Sequence, residues 1–280
     1  MNVIVPDPTG LERLKSRIKK GGYGRLHVLS DFDRTLTYGS VNGVETPSII
    51  CMLRDGNHLA DGYAEKASML FSKYHRIETD PFIPMEEKKK AMQEWWNLHI
   101  RLMIDCGLSR KDLEDIAVNG KVEFRKGVAE FMEFLHVHGI PLIILSASGC
   151  GDAVQIFLEK KGMDHPNIFY VTNRFTWNAE GRAVAARGPV IHCMNKDETV
   201  IKDMPDVCRA VRGRENVLLM GDSLGDLGMA CGFDSSSMIR VGFLNSDCER
   251  CRKSYEENFD VVLEGDGDFS YINRLVRDLG

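Results

Sequence analysis

Short apolar runs separated by helical stretches constrain this chain more than any other feature. The runs span Leu26 to Ser30, Pro141 to Leu145, Ile168 to Thr172, Val217 to Met220, Ile239 to Phe243 and Phe259 to Leu263. Each has the length of a buried strand. Strands alternating with helices argue for an α/β fold with a parallel, doubly wound sheet, whose ligands bind outside the carboxyl ends of the strands. The first long run ends directly in Asp31-Phe32-Asp33, which puts a pair of carboxylates at such an end. Like charges this close resist joint ionisation unless a cation or a shared proton holds them. The economical reading is a magnesium site with one carboxylate free to attack phosphorus.

The bulk numbers narrow the class. The chain has 280 residues, 43% hydrophobic, enough for one large or two modest domains. A net charge of −5 argues against a nucleic-acid surface. There is no apolar run of membrane length. The opening residues, Met1-Asn2-Val3-Ile4-Val5-Pro6, lack a basic stretch and a long apolar core, so a secretory leader is not expected. Of 8 cysteines only Cys248 and Cys251 form a C-x-x-C pair, without the second pair a zinc site needs. Reduced thiols in a cytoplasmic protein are expected, with that pair on a helix.

Residues 39–124 lack strand runs and carry long helical patterns. From Met85 to Cys106, apolar residues recur at steps of three and four, among them Met92, Trp95, Trp96, His99 and Met103. The expected organisation is a core domain of residues 1–38 and 125–280, with residues 39–124 inserted after the first strand as a helical cap. An insertion there hangs over the carboxylate pair, where it would act as a lid and read the substrate. In the core, Asp152 and Gly162 are expected to cap the helix from Ala153 to Lys161. Residues 174–188 read as a hairpin.

Further segments join the carboxylate pair. Ser146-Ala147-Ser148-Gly149 follows one apolar run, and its small residues let backbone N–H groups approach an anion. Lys196 follows Cys193-Met194-Asn195. Gly221-Asp222-Ser223-Leu224-Gly225-Asp226 follows another run. Each piece alone is more often ordinary: a solvated turn, a loop, a surface lysine, a tight turn. Together, in this order and at strand ends, they resemble the motifs of haloacid dehalogenase-like phosphatases. A closer resemblance, from about residue 26 onward, is to the cytosolic 5′-nucleotidase III family, the pyrimidine 5′-nucleotidases. Glu78-Thr79-Asp80-Pro81, Glu94-Trp95-Trp96, His165-Pro166-Asn167, Ile191-His192-x-x-Asn195-Lys196 and Val241-Gly242-Phe243-Leu244-Asn245 carry it, beside the motifs above. The first twenty-five residues lie outside it.

The resemblance implies a Mg²⁺-dependent phosphatase of nucleoside 5′-monophosphates, expected to be monomeric. Asp31 would attack phosphorus and form an aspartyl-phosphate. Asp33 would protonate the leaving 5′-oxygen and then deprotonate water. Asp31, the backbone carbonyl of Asp33 and Asp222 would hold Mg²⁺, with Asp226 behind them. Ser146 and the Ala147 N–H would bind the phosphate, and Lys196 would neutralise it. In the family the glutamate matching Glu78 contacts the base, and an aromatic matching Trp96 stacks near it. Trp96 leans toward the branch that also accepts 7-methylguanosine monophosphate, a cationic base suited to tryptophan. His99 stands where the family usually has serine or alanine, and either donates to the substrate or fills the pocket. The loop from Ser146 to Asp152 is one residue longer than the family's. Read from residues alone, Glu78 is as well a solvated glutamate before a proline turn, and the tryptophans helix packing. Two alternatives stand: a superfamily phosphatase acting on another small phosphomonoester such as phosphoserine, and a non-catalytic nucleotide-binding protein.

Overall fold

The apolar runs form the strands of one sheet. The structure, a computed structural model, describes residues 2–280 except 121, 202–203, 232–234 and 247, and excepting the side chains of 198 and 199. The chain begins with β1 (Asn2–Ile4), α1 (Pro8–Gly21) and β2 (Leu26–Ser30). A ribbon of β3 (Ser40–Val41) and β4 (Val44–Glu45) follows, then α2 (Ile49–Asp55), α3 (Tyr63–Thr79), α4 (Met85–Asp105) and α5 (Arg110–Asn119). Next come α6 (Val128–Val137), β5 (Leu142–Ser146), α7 (Asp152–Lys160) and β6 (Ile168–Thr172). The hairpin of β7 (Arg174–Trp177) and β8 (Ala183–Arg187) leads to α8 (Glu198–Ile201) and α9 (Pro205–Val211). The chain ends with β9 (Asn216–Gly221), β10 (Ser237–Leu244), α10 (Cys248–Asn258), β11 (Val261–Glu264) and α11 (Ser270–Asp278).

The 7-stranded sheet has the order β1-β11-β10-β9-β2-β5-β6. Every neighbouring pair is parallel except β1 with β11. From β2 the chain builds outward to β5 and β6, then returns to the other side of β2 and builds outward through β9, β10 and β11. The winding therefore reverses at β2, and Asp31 follows its last residue. That reversal opens the crevice in which α/β proteins bind ligands.

Period-two alternation sorts the strand residues between both faces. Leu26, Val28, Leu142, Ile144, Leu218 and Met220 pack in one core, and Leu29, Ile143, Leu145, Val217 and Leu219 in the other. Both faces are covered, so these strands read as unbroken apolar runs rather than alternating ones. Between β2 and β5 the chain passes through the ribbon and α2 to α5, and it returns beside its exit, where Thr37 bridges Phe124. Within this segment Tyr74, Met92 and Trp95 form a separate buried cluster.

Some expectations need correction. β11 starts at Val261, because Phe259 leaves the strand and packs against Gly242, where an added Cβ would lie 2.7 Å from its ring. Asp152 is the first residue of α7 and does not cap it. Its carboxylate instead accepts from the Phe175 N–H at 2.9 Å and the Arg174 Nε–H at 3.3 Å, fastening the hairpin to the helix. Cys248 and Cys251, by contrast, are free thiols on a helix, α10, as expected.

Phe131 on α6 is fully buried and meets Phe269 edge-on at 5.4 Å between ring centroids. Phe131→Ala should cost about 3–5 kcal/mol in urea unfolding. A loss below about 1 kcal/mol would mean that the core closes over the space without strain.

Candidate active site

Strand ends bring the acidic residues together. The Asp31 N–H donates to the Met220 carbonyl at 3.0 Å, extending the β2–β9 pairing one residue past the strand. Asp31 and Asp222 thus leave adjacent strands side by side. Their carboxylates and that of Asp226 lie within 4.8 Å of one another. Lys196 Nζ sits among them, 2.5 Å from Asp31 Oδ1 and 3.0 Å from Asp226 Oδ1. Asp226 Oδ2 accepts from the Ser223 N–H at 3.0 Å and from its hydroxyl at 2.9 Å, closing a capping box on the 3₁₀ turn Leu224–Ala230. Gly221 is needed because a Cβ there would lie 2.4 Å from the Asp226 Cβ.

Electrostatics follow from burial. Burial raises the Asp31 carboxyl well above its ordinary value, against the pull of Lys196. Burial also pushes Asp33 up to about 6 and Asp222 up to about 7. Burial works against the Lys196 charge, yet Asp226 and Asp31 outweigh it and raise the ammonium's pKa. The cluster consists of hard oxygen donors crowded in low dielectric, with more negative charge than one ammonium offsets. Such a set fits a divalent cation. Thr35 also donates its hydroxyl to Asp31 Oδ2, at 3.5 Å.

The loop after β5 lies one strand over from β2. Ser146 is buried, and its Oγ accepts from the Ser148 N–H at 3.1 Å. Ala147 follows it at the same sheet end, half-buried. Asn173, just past β6, ties this loop to the segment leading to Lys196. Its side chain donates to the carbonyls of Ser148 at 3.1 Å and Ile191 at 2.8 Å, and accepts from the Ile191 N–H at 2.8 Å. Asn195 closes the turn before Lys196 by accepting from the His192 N–H at 2.7 Å and donating to the Val190 carbonyl at 2.8 Å.

Helices α3 and α4 bring the substrate-side candidates to the same two loops. Glu78 Oε1 accepts from the Cys193 thiol at 2.9 Å, three residues before Lys196. The edge of Trp96 lies against Gly149, where an added Cβ would meet its ring at 2.5 Å. Tyr74, Trp95, Trp96 and His99 form a ladder of near-parallel rings, successive centroids 5.9, 5.6 and 5.8 Å apart. His99 is buried, and burial lowers its pKa to about 4, so it is neutral near pH 7. Its Nε2 is 3.0 Å from the Tyr63 hydroxyl.

Sequence reasoning missed several residues of this site. Tyr255 donates its hydroxyl to the Asp222 carbonyl. Asn173 and the buried Arg125 belong to no motif recognised from the sequence, and Cys193 stood in the Lys196 segment without a role; the roles of all three depend on partners far away in the chain. Among the described residues no helix is long and apolar enough to cross a membrane.

The sequence model of the pyrimidine 5′-nucleotidase (UMPH-1) family matches residues 34–280, starting just after the carboxylate pair. The 7-methylguanosine phosphate-specific 5′-nucleotidase A of Xenopus laevis is 33% identical, over 98% of this chain and 94% of that protein. The 7-methylguanosine phosphate-specific 5′-nucleotidase of Homo sapiens is 31% identical, over 99% and 92%. Such coverage takes in most of the first twenty-five residues, further than the motifs reach. A crystal structure of cytosolic 5′-nucleotidase IIIB bound to cytidine superposes with a TM-score of 0.89 at 30% identity, covering 99% of this chain and 92% of that one. A substrate-bound phosphoserine phosphatase, at TM-score 0.52 and 18% identity, shares the fold.

Asp33 and Asp222 release their protons at about 6 and about 7 when folded, against the ordinary 3.8. Between these values the folded chain holds more protons than the unfolded one, so their contribution to stability is lost as pH rises. Without divalent cations, Tm should therefore fall from about pH 4 to about pH 7 through this term, and Mg²⁺ should restore most at the upper end. Melts of wild type and Asp222→Asn across that range isolate the effect. Parallel curves for the two proteins would rule it out.

Proposed function

Because the chain belongs to the pyrimidine 5′-nucleotidase (UMPH-1) family, we propose that it hydrolyses nucleoside 5′-monophosphates with Mg²⁺, taking 7-methylguanosine monophosphate and pyrimidine nucleotides. The observation that carries this reading is Lys196 held between Asp31 and Asp226 beside Asp222, at the strand ends faced by Glu78 and Trp96. The names of the relatives direct the choice of 7-methylguanosine monophosphate, and the cytidine in the solved neighbour directs the choice of pyrimidines.

Asp31 attacks phosphorus through a carboxylate oxygen, the bond from phosphorus to the 5′-oxygen breaks, and an aspartyl-phosphate forms. Asp33 gives its proton to that leaving oxygen. Its raised pKa, about 6, suits a group that first donates and then accepts near neutrality. In the second half Asp33 takes a proton from water, the oxygen of that water attacks phosphorus, and Asp31 is freed as phosphate departs. Lys196 neutralises the meeting of the Asp31 carboxylate with the phosphate. Ser146 Oγ and the Ala147 N–H orient the phosphate oxygens. Asp31, Asp222 and the Asp33 carbonyl would hold Mg²⁺, which when bound supplies charge stabilisation to the transferring phosphoryl group. Asp226 would serve behind them, holding Lys196 through one oxygen and Ser223 through the other.

Substrate choice is assigned to Glu78 and Trp96. A tryptophan beside the base favours a cationic one. In the ring ladder Trp96 stands between Trp95 and His99, and the His99 hydrogen bond goes to Tyr63.

Phosphate release should appear with 7-methyl-GMP, CMP and UMP in the presence of Mg²⁺, and disappear with chelator. Asp31→Asn should reduce it below detection, because the uncatalysed reaction is among the slowest known. If phosphoserine turned over while all three nucleotides were ignored, the reading would be wrong. Separately, Glu78→Gln should raise KM for its preferred nucleotide roughly tenfold, the scale of one charged hydrogen bond, with a smaller change in kcat. An unchanged KM would remove Glu78 from base recognition.

A further inference from the structure

We propose that Arg125, which takes no part in the chemistry, is a positioning residue that sets the loop carrying Asp33 and Thr35 against Asp31. The inference rests on the phosphatase reaction above for its kinetic consequence, and on geometry alone for its structural one.

Arg125 is 1% exposed and directly follows Phe124, the residue that bridges Thr37 where segment 39–124 rejoins the core. Its guanidinium has five N–H donors in a rigid plane. Each finds an acceptor. Nε donates to the Thr35 carbonyl at 2.9 Å. Nη2 donates to the Arg34 carbonyl at 2.6 Å and to Asn245 Oδ1 at 2.7 Å. Nη1 donates to the Gly267 carbonyl at 2.6 Å and pairs with Asp266 Oδ1 at 2.9 Å. The planar group also lies 4.8 Å from the centre of the Phe243 ring and 5.3 Å from that of Tyr38.

What these bonds hold is strained backbone. Arg34, between Asp33 and Thr35, has φ 60°, a left-handed conformation that a side chain disfavours. Such a conformation persists only where its surroundings over-determine it. Here the Arg34 N–H donates to Thr37 Oγ1 at 2.8 Å, and its carbonyl accepts from Asn245 at 2.9 Å as well as from Arg125. The turn aims Thr35 Oγ1 at Asp31 Oδ2 and holds the backbone that directly follows Asp33. On the other side, Asp266 accepts from the N–H groups of Gly39 at 2.9 Å and Ser40 at 2.7 Å, at the start of the ribbon. One buried cation therefore ties the catalytic loop, the base of the helical segment and the loop after β11 together.

A buried ion pair is weak evidence for stability, since apolar residues often replace one at no loss. A planar fork with every donor used is evidence for geometry. Lysine keeps the charge but offers three donors from a point, too few for these acceptors.

The test uses Arg125→Lys and Asn245→Ala in the full chain, with Asp31, Lys196, Glu78 and Trp96 untouched. In both, backbone amides of residues 34–36 should exchange hydrogen faster while those of Val28 to Ser30 stay protected. At saturating Mg²⁺ and nucleotide, kcat should fall, by roughly a hundredfold in Arg125→Lys as expected for a misplacement near 1 Å, and less in Asn245→Ala. KM should change little. If Arg125→Lys does not fold, Asn245→Ala decides alone. Unaltered exchange at residues 34–36 overturns the proposal whatever the substrate turns out to be. A kcat that falls only in proportion to the unfolded fraction overturns it equally, and makes Arg125 a structural cross-link.

Discussion

The site depends on one ammonium placed among buried carboxylates. Taking Asp31, Asp222 and Asp226 out of water is costly, and crowding them adds repulsion. Lys196 offsets part of this through its contacts to Asp31 and Asp226. It does not reach neutrality: the carboxylates exceed the ammonium by the charge that a divalent cation carries. Burial raises the pKa values of Asp31 and Asp222, and the neighbouring carboxylates add to it. A fold that tolerates such a cluster must hold it from outside, and much of the surrounding structure does so. The parallel β2–β9 pairing brings Asp31 and Asp222 together, the capping box on Ser223 fixes Asp226, and Asn195 turns the chain so that Lys196 arrives between them.

The same arrangement explains why helices α3 and α4 touch the core where they do. Glu78 meets the turn that carries Lys196, through Cys193, and Trp96 meets the loop that carries Ser146, at Gly149. That loop passes so close to the Trp96 ring that a side chain at Gly149 has no room. The aromatic ladder from Tyr74 to His99 stiffens the helix face behind these contacts. A neutral His99 bonded to Tyr63 belongs to that support.

The strands were legible because a parallel sheet covered on both faces leaves continuous apolar runs, and the motifs were legible because chemistry concentrates at strand ends. The strand order was not legible: nothing local says that β9 rather than β6 lies beside β2. β1 escaped notice because an edge strand of three residues has no period to read. Asp152 looked like a helix cap, since a carboxylate beside a helix start normally caps it, but the hairpin supplied competing donors at Phe175 and Arg174. Arg125 was invisible for a deeper reason. Its partners are Arg34, Thr35, Asn245, Asp266 and Gly267, and no window of sequence contains them together.

Phosphate chemistry and base reading are often treated as separable, with the core performing one and the inserted helices the other. On the reading proposed above they would share the turn from Cys193 to Lys196. The Cys193 thiol is half-buried, and loss of water around it raises its pKa, so it stays protonated and can donate to Glu78. A base that draws the Glu78 carboxylate toward itself must loosen or replace that bond, and the strain falls on the peptide that positions Lys196. Asn195 locks this short turn by bonds to His192 and Val190. On the reading proposed above, contact with the base at Glu78 and contact with the phosphate at Lys196 would meet in this one turn.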